Sequence, residues 1–546
     1  MNDSENLDYF RKQLLCNIDY QTFLCDYYKD DLKSKSSNIS LLSSLYEIMN
    51  GVCVNPQLIM NLIYPNSAKM GKLKSFKQTT DKINPSQCKA VSMALSMENL
   101  MVLEGPPGTG KTTVIIELIK QLKKRDKSTR ILITSQGHLA VDNVMKGFLE
   151  SKEYLDEIAR VRQKDNCDNS YKGYSEKAVF DRITNSADEK LKNILKSFDN
   201  PDDERFGNDF LKYNVSSILT KKSIIGVTCN SILGCHFENG DPFDYIIVDE
   251  VGKFSFPELL NVAKIARKLI LIGDPYQLPA VLLDFDKKND IDFKSLPNFN
   301  KNSFDFIKNN DYIEYLFNNI SPECKTLLNI QYRMSNAIGT YISETYYDKK
   351  VSNGLDKNID ESINFISYSN LSKKVYEEKN EIENEYTEQE NEYEVSIIKA
   401  LLQDKLKDVE RKNIAIITPY KLQAQKIASE IKEIDSSRIS TVDSYQGKEY
   451  DYIIFSCTRC SGKSTFLDDR KRVNVAISRA RKKIFVIGNG GYILNNTKNL
   501  KSLFNFKKEY KHPITDKEYF LECKKWFFTR DNRIVCYKKT DKNSNY

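Results

Sequence analysis

Residues 102–113 read VLEGPPGTGKTT. The pattern G-x-x-x-x-G-K-T is complete at Gly105, Gly110, Lys111 and Thr112. The apolar run LMVL precedes it, and helical apolar spacing at Val114, Leu118, Ile119 and Leu122 follows. Glycines let backbone N–H groups curl round phosphates, a lysine adds a point charge near the β and γ oxygens, and a threonine hydroxyl can ligate magnesium. The loop Gly105, Pro106, Pro107, Gly108, Thr109, Gly110, Lys111, Thr112 and Thr113 is therefore a candidate cradle for a nucleoside triphosphate such as ATP with Mg2+. What the nucleotide drives stays open, because kinases, transporter subunits, switches and motors all use such a cradle.

Outward from the loop, the runs NLMVLEG, RILITS, SIIGVTC, YIIVDE and KLILIGD are short, β-branched and each closed by a polar or glycine turn. That alternation with helical patterns predicts an α/β fold with a parallel sheet and ligand groups at the carboxyl ends of its strands. YIIVDE ends in Asp249 and Glu250: Asp249 would help hold magnesium, and Glu250 would orient and deprotonate an attacking water. LIGDPYQLP places Gln277 where an amide could sense a γ-phosphate. A second series, NIAIITPY, ISTVDS, DYIIFSCT and KIFVIGN, predicts a second lobe of the same kind.

The expected organisation is a helical region at 1–83, a first lobe at 84–285 with a polar helical insertion at 146–222, a second lobe at 286–495 and a tail at 496–546. In that tail, CKKWFFTRDNRIVCYKK reads as a small hydrophobic packing segment in preference to a basic, aromatic nucleic-acid surface. The acidic run 377–394 reads as a solvated helix face or loop.

At 546 residues, the chain has material for two to four domains. A composition of 40% hydrophobic and 29% charged residues excludes wholesale disorder. No apolar run approaches the ~18 residues of a membrane span. The acidic N-terminus has no apolar signal-peptide core, and the 12 cysteines lack small-scaffold spacing, so an intracellular protein, cytoplasmic or nuclear, is expected. Cys457 and Cys460 form a CxxC without a second pair at zinc spacing, which reads as a strand end. Net charge is +7, which permits a polyanionic partner without demanding one.

The order GPPGTGKT, DEVG, GDPYQLP, QYRM, TVDSYQGKEYDYIIFSCTR and RKRVNVAISRARKKIFVIGN, with NPSQCKAV ahead of it, resembles the superfamily 1 helicases. The branch is that of the up-frameshift RNA-decay helicase and senataxin, and the likeness covers roughly residues 84 to 492. It implies two tandem RecA-like P-loop lobes with the nucleotide between them. It further implies that Gln87 reads the adenine edge, Tyr332 stacks on the base, Arg333 and Arg479 reach the phosphates, and Gly447 and Glu449 lie near phosphate and ribose. Contacts to single-stranded RNA or DNA are implied for SQGHLAVDNV, for Thr418, Pro419 and Tyr420, and for Thr441 and Ser444, with 5′ to 3′ movement. Gly137 and His138 stand where the family commonly has Ser and Asn.

A monomer is expected, working with or without a loading protein. The family's cysteine- and histidine-rich zinc module is absent from this sequence, which has three His. Strand separation is thus less firmly implied than hydrolysis. A nucleotide-controlled clamp that holds nucleic acid without processive unwinding is the alternative.

Overall fold

A computed structural model describes residues 47–48, 50–79, 83–149, 154, 157–160, 222–232, 242–280, 312–368, 375–380, 385–445, 448–462, 465–529 and 533–536. Gly447, residues 1–46 and most of the expected insertion lie outside them. The chain divides into two compact units: Met1–Gly105, Lys111–Pro275 and Pro279–Leu328 form the first; Pro106–Gly110, Tyr276–Leu278 and Asn329–Tyr546 form the second.

The first unit is built on β1 (Leu100–Glu104), β2 (Ile131–Ser135), β3 (Ile158–Arg160), β4 (Ile224–Thr228), β5 (Phe243–Val248), β6 (Ala266–Gly273) and β7 (Lys325–Leu327). Their order across the sheet is β3-β4-β2-β5-β6-β1-β7, with every pairing parallel. Side chains alternate faces along a strand, so Leu100 and Val102 enter one core while Met101 and Leu103 enter the other. Burial on both faces explains why these strands read as unbroken apolar runs. Helices α1 (Pro56–Ile63), α2 (Pro85–Ala94), α3 (Lys111–Arg125), α4 (His138–Leu149) and α5 (Phe256–Lys264) supply the cover.

Two expectations about this unit change. The described residues before 84 are not a separate layer: Ile48, Leu58, Ile59 and Leu62 sit in the same core as Leu100 and Val102, and the Tyr312 hydroxyl donates to the Leu62 carbonyl at 2.8 Å. The unit also runs to Leu328 and does not stop near 285, because β7 lies parallel to β1 with Lys325 opposite Val102. Of the expected insertion, 146–149 belong to α4 and Ile158–Arg160 form β3.

The second unit opens with the short parallel pair β8 (Ile330–Gln331) and β9 (Ser352–Asn353). It continues with β10 (Ile363–Tyr368), β11 (Val375–Asn380), β12 (Glu385–Asn391), β13 (Ile414–Thr418), β14 (Ile439–Thr441), β15 (Tyr450–Ser456), β16 (Ala480–Asn489), β17 (Lys507–Lys511), β18 (Glu518–Phe528) and β19 (Ile534–Cys536). The main sheet runs β14-β13-β15-β16-β10-β18-β17, with β19 on β18. It is parallel from β14 to β18, and β17 and β19 are antiparallel to β18. Helices α6 (Asn336–Tyr346), α7 (Glu392–Gln403), α8 (Lys421–Glu430) and α9 (Arg470–Ser478) belong to this unit.

The described residues of 496–546 join the main sheet, and the hydrophobic packing expected of CKKWFF is found there. β18 pairs in parallel with β10, Ile363 opposite Cys523, and Trp526 and Phe528 fill the same core as Ile366 and Ile454. The acidic run is not simply solvated either: its described residues include the antiparallel pair β11–β12 and the first turn of α7, where Glu394 is fully buried.

Candidate functional site

In the first unit, three adjacent strands, β5, β6 and β1, end at one edge. β1 delivers the phosphate-clamp loop: the Gly105 N–H donates to the Gly273 carbonyl at the end of β6 (2.8 Å), and the Lys111 ammonium donates to the Gly105 carbonyl at 2.6 Å. A Cβ on Gly105 would lie 2.5 Å from both Cγ and Cδ of Lys111, so the lysine stem runs directly over that glycine. Gly108 (φ +75°) and Gly110 (φ +80°) occupy the left-handed region that glycine enters without a Cβ clash. Thr112 and Thr113 are half-buried in the first turn of α3.

β5 delivers Asp249 and Glu250. The Asp249 N–H donates to the Thr134 carbonyl (2.8 Å), and its Oδ1 accepts from the Glu250 N–H at 2.9 Å. Burial raises the Asp249 pKa to about 6, the neighbouring Glu250 charge adds to that, and the Lys111 charge opposes it. Glu250 holds φ +53° and pairs with Lys253 at 3.2 Å. Gly273 admits this turn, since a Cβ there would meet Val251 Cγ1 at 2.7 Å.

Gln87 is buried at the start of α2. Its N–H donates to Asn84 Oδ1 and its Oε1 accepts from the Asn84 N–H, both at 3.0 Å, so the amide oxygen expected at an adenine already serves a helix cap. In SQGH, Gln136 donates to Glu258 (2.7 Å), and the exposed His138 has Nδ1 3.2 Å from the Arg160 guanidinium. Arg160, which lies in no sequence motif, is 1% exposed; its Nε pairs with Asp142 at 2.8 Å, and it donates to the Gly226 carbonyl at 3.2 Å.

In the second unit, Gln331 shapes the QYRM turn. Its Oε1 accepts from the N–H groups of Arg333 (2.9 Å) and Met334 (2.8 Å), and its Nε2 donates to Asn353 Oδ1 (2.6 Å). Tyr332 packs on Gly354, where a Cβ would lie 2.4 Å from the ring, and its N–H donates to the Gly108 carbonyl at 2.9 Å. Arg333 is ion-paired through Nε with Glu449, so the carboxylate expected near a ribose partners this arginine. Arg479 is buried. It donates to the carbonyls of Val475 (3.1 Å) and Lys448 (3.3 Å) and to Gln277 Oε1 (3.2 Å).

The residues expected to touch a nucleic-acid strand divide. Tyr420 and Thr441 are half-buried and Ser444 is exposed, with the Thr441 and Ser444 hydroxyls 3.2 Å apart. Thr418 and Pro419 are buried, and the Thr418 hydroxyl lies 3.0 Å from that of Thr458, which removes Thr418 from the accessible surface.

Beneath them lies a polar box that sequence reading overlooked. Glu394 accepts from the Tyr368 hydroxyl (2.8 Å), the Ser456 hydroxyl (2.5 Å) and the Thr458 N–H (2.9 Å), and burial pushes its pKa up to about 7 against those hydrogen bonds. Asn391 donates to the Thr458 carbonyl at 2.8 Å, and Thr458 holds φ +66°. The available signal was Asn391-x-x-Glu394: Asn391 caps α7, accepting from the N–H groups of Tyr393 and Glu394.

A family model described as an AAA domain matches residues 309–491, and a second of the same description matches 82–204 and 182–284. DNA polymerase alpha-associated DNA helicase A of Schizosaccharomyces pombe is 28% identical over 78% of this chain and 66% of its own length. ATP-dependent helicase NAM7 of Saccharomyces cerevisiae is 27% identical over 76% and 42%. Helicase sen1 of S. pombe is 26% identical over 74% and 29%. The chain thus spans two thirds or less of each of these relatives. Among solved structures, arterivirus nonstructural protein 10 (helicase) aligns with a TM-score of 0.37 at 13% identity, over 80% of this chain and 76% of that one. That likeness is slight, and the fold stands on the strand orders given above.

Proposed function

The chain belongs to the superfamily 1 helicases, ATP-hydrolysing enzymes, in the up-frameshift and senataxin-like branch, and from that premise we propose that it hydrolyses ATP to move along single-stranded RNA or DNA, 5′ to 3′. The observation that carries the reading is the convergence of the phosphate clamp, Gly273 and the Asp249–Glu250 pair on the ends of three adjacent parallel strands. Carboxyl ends of parallel strands are where α/β sheets bind ligands. Several of the similar proteins are named DNA helicases, so DNA is the first strand to try.

In this reading the loop N–H groups and Lys111 hold the β and γ phosphates. The Thr112 hydroxyl and the buried Asp249 carboxylate, beside a second carboxylate, form the oxygen donor set that suits magnesium. When bound, that ion neutralises phosphate charge. Glu250 takes the proton of the attacking water. Arg333 and Arg479 supply transition-state charge, a contribution of about 10³ to 10⁵ in rate for an arginine finger. Gln277, bonded to Arg479, reports the γ-phosphate to that arginine. Tyr332 stacks on the base, and Tyr420, Thr441 and Ser444 grip the strand.

Glu250→Gln tests the coupling. It keeps the side chain's shape but removes the base, so hydrolysis should vanish while ATP still binds. Single-strand affinity is measured with no nucleotide, with ATP and with ADP, beside phosphate release and displacement of a 5′-overhang duplex by the wild type. Affinity identical in all three states would refute the motor and leave an ATPase. Coupled affinity without displacement would favour the clamp.

A further inference from the structure

We propose that the β17–β18 hairpin, which lies beyond the family-matched residues ending at 491, positions the Gln331–Met334 turn and so presents Tyr332 and Arg333 to the nucleotide; this rests on the functional reading above.

Two anchors run from the hairpin to the turn. At the first, the Tyr510 hydroxyl accepts from Asn353 Nδ2 at 3.0 Å. The other end of that amide, Oδ1, accepts from Gln331 Nε2, and Gln331 Oε1 holds the N–H groups of Arg333 and Met334. Asn353 has no room to swing: its Nδ2 also faces the Asn336 carbonyl (3.2 Å) and the Thr340 hydroxyl (3.3 Å), and a Cβ on Gly339 would lie 2.1 Å from its Oδ1.

At the second, the Tyr519 hydroxyl lies 2.8 Å from both oxygens of Asp356, which also receives the Thr515 hydroxyl (3.1 Å), the Lys517 ammonium (3.3 Å) and Asn336 Nδ2 (3.1 Å). The next residue, Lys357, places its ammonium on the carbonyls of Tyr332 (2.8 Å) and Arg333 (3.2 Å). The hairpin's own connection is tied down as well. The buried His512 accepts at Nδ1 from the N–H groups of Ile514 (3.3 Å) and Thr515 (3.2 Å), and its carbonyl accepts from the Asp516 N–H at 3.0 Å.

The N–H groups of the turn are thus tied to Tyr510 by a chain of hydrogen bonds, and its carbonyls to Tyr519 through Asp356 and the adjoining Lys357. The pairing of Tyr519 with Asp356 spans 163 positions. Arginine-finger chemistry depends on placement, and a shift of about 1 Å costs on the order of 10²-fold. Tyr510, Tyr519, Asn353, Asp356 and Lys357 are positioning residues in this scheme, none of them touching substrate.

The test is Tyr510→Phe with Tyr519→Phe, compared with Tyr341→Phe. Tyr341 loses a buried hydroxyl in the same unit, bonded to the Asn499 carbonyl (3.1 Å) and Ser502 (2.8 Å). Strand-stimulated ATP hydrolysis and amide hydrogen exchange at Arg333 and Met334 are both measured, with Tm recorded. In the double variant kcat should fall about tenfold, KM for ATP should rise and exchange at the two amides should speed about tenfold. Tyr341→Phe should lower Tm and move neither readout. A double variant that behaves like the control in kinetics and exchange overturns the proposal. A wild type without ATP turnover overturns the functional reading, and the exchange comparison then still judges the hairpin's hold on the Gln331–Met334 turn.

Discussion

Gly105→Ala isolates the placement of one charge. The backbone at Gly105 is not left-handed, so alanine is conformationally acceptable there, and the new Cβ would meet the flexible methylenes Cγ and Cδ of Lys111 at 2.5 Å. Ordinary carbon–carbon contact begins at about 3.5 Å, so the lysine stem has to move by about 1 Å. The ammonium now bonded to the Gly105 carbonyl moves with it. Misplacement of that size costs on the order of 10²-fold in kcat/KM, about 2.7 kcal/mol of transition-state stabilisation. Stability moves the other way or not at all, because Gly→Ala at a compatible position lowers unfolded-state entropy by roughly 0.4–1 kcal/mol. ATPase kinetics at saturating single strand, paired with urea unfolding, separate the two effects. A folded variant with kcat/KM within about threefold of wild type would refute the argument that the course of Lys111 over Gly105 matters.

Two further outcomes concern buried charge. Glu394 titrates near 7 in the folded chain against an ordinary 4.5, so the folded state holds the extra proton between those values. The contribution of Glu394 to unfolding free energy is therefore fully present below about 4.5 and falls by up to roughly 3 kcal/mol as pH rises to 7; the stability difference between wild type and Glu394→Gln in urea titrations should shrink by that amount across the range. Arg160→Met leaves Asp142 buried without its 2.8 Å partner and should cost about 3–5 kcal/mol, while adding Asp142→Leu should recover much of the loss; a double variant no more stable than the single would contradict the pairing.

The clamp and the acidic pair were legible because their chemistry fixes both residue type and local spacing: Gly105 to Thr112 is one contiguous stretch running into α3, and Asp249–Glu250 closes a strand that is apolar on both faces. The boundary at Leu328 was not, because β7 has three residues, too few to show a period, and its partner β1 is distant in sequence. Charge misled at two places. Glu394 was absorbed into an acidic run although its cap with Asn391 takes it inside, and β18 looked like a tail because Glu522, Lys524 and Lys525 interrupt its apolar residues. Gln87 illustrates a third limit: one amide can satisfy two patterns, and only coordinates reveal that its oxygen is committed to Asn84. Thr418 fits the expected motif yet faces inward, since a sequence match carries no orientation.

The position of β18 beside β10 also bears on how the polypeptide is made. β10 ends at Tyr368 and β18 begins at Glu518, so 149 residues, 369 to 517, must be synthesised before the two can meet. At about 5–20 residues per second that is a wait of roughly 7 to 30 s on the ribosome. Until β16 (Ala480–Asn489) follows, both sides of β10 present unpaired N–H and C=O groups along Ile363–Tyr368, and from then until β18 arrives one side still does, the kind of open edge that recruits foreign strands. Chaperone occupancy of the nascent chain should accordingly be highest once β10 has emerged and end when β18 does.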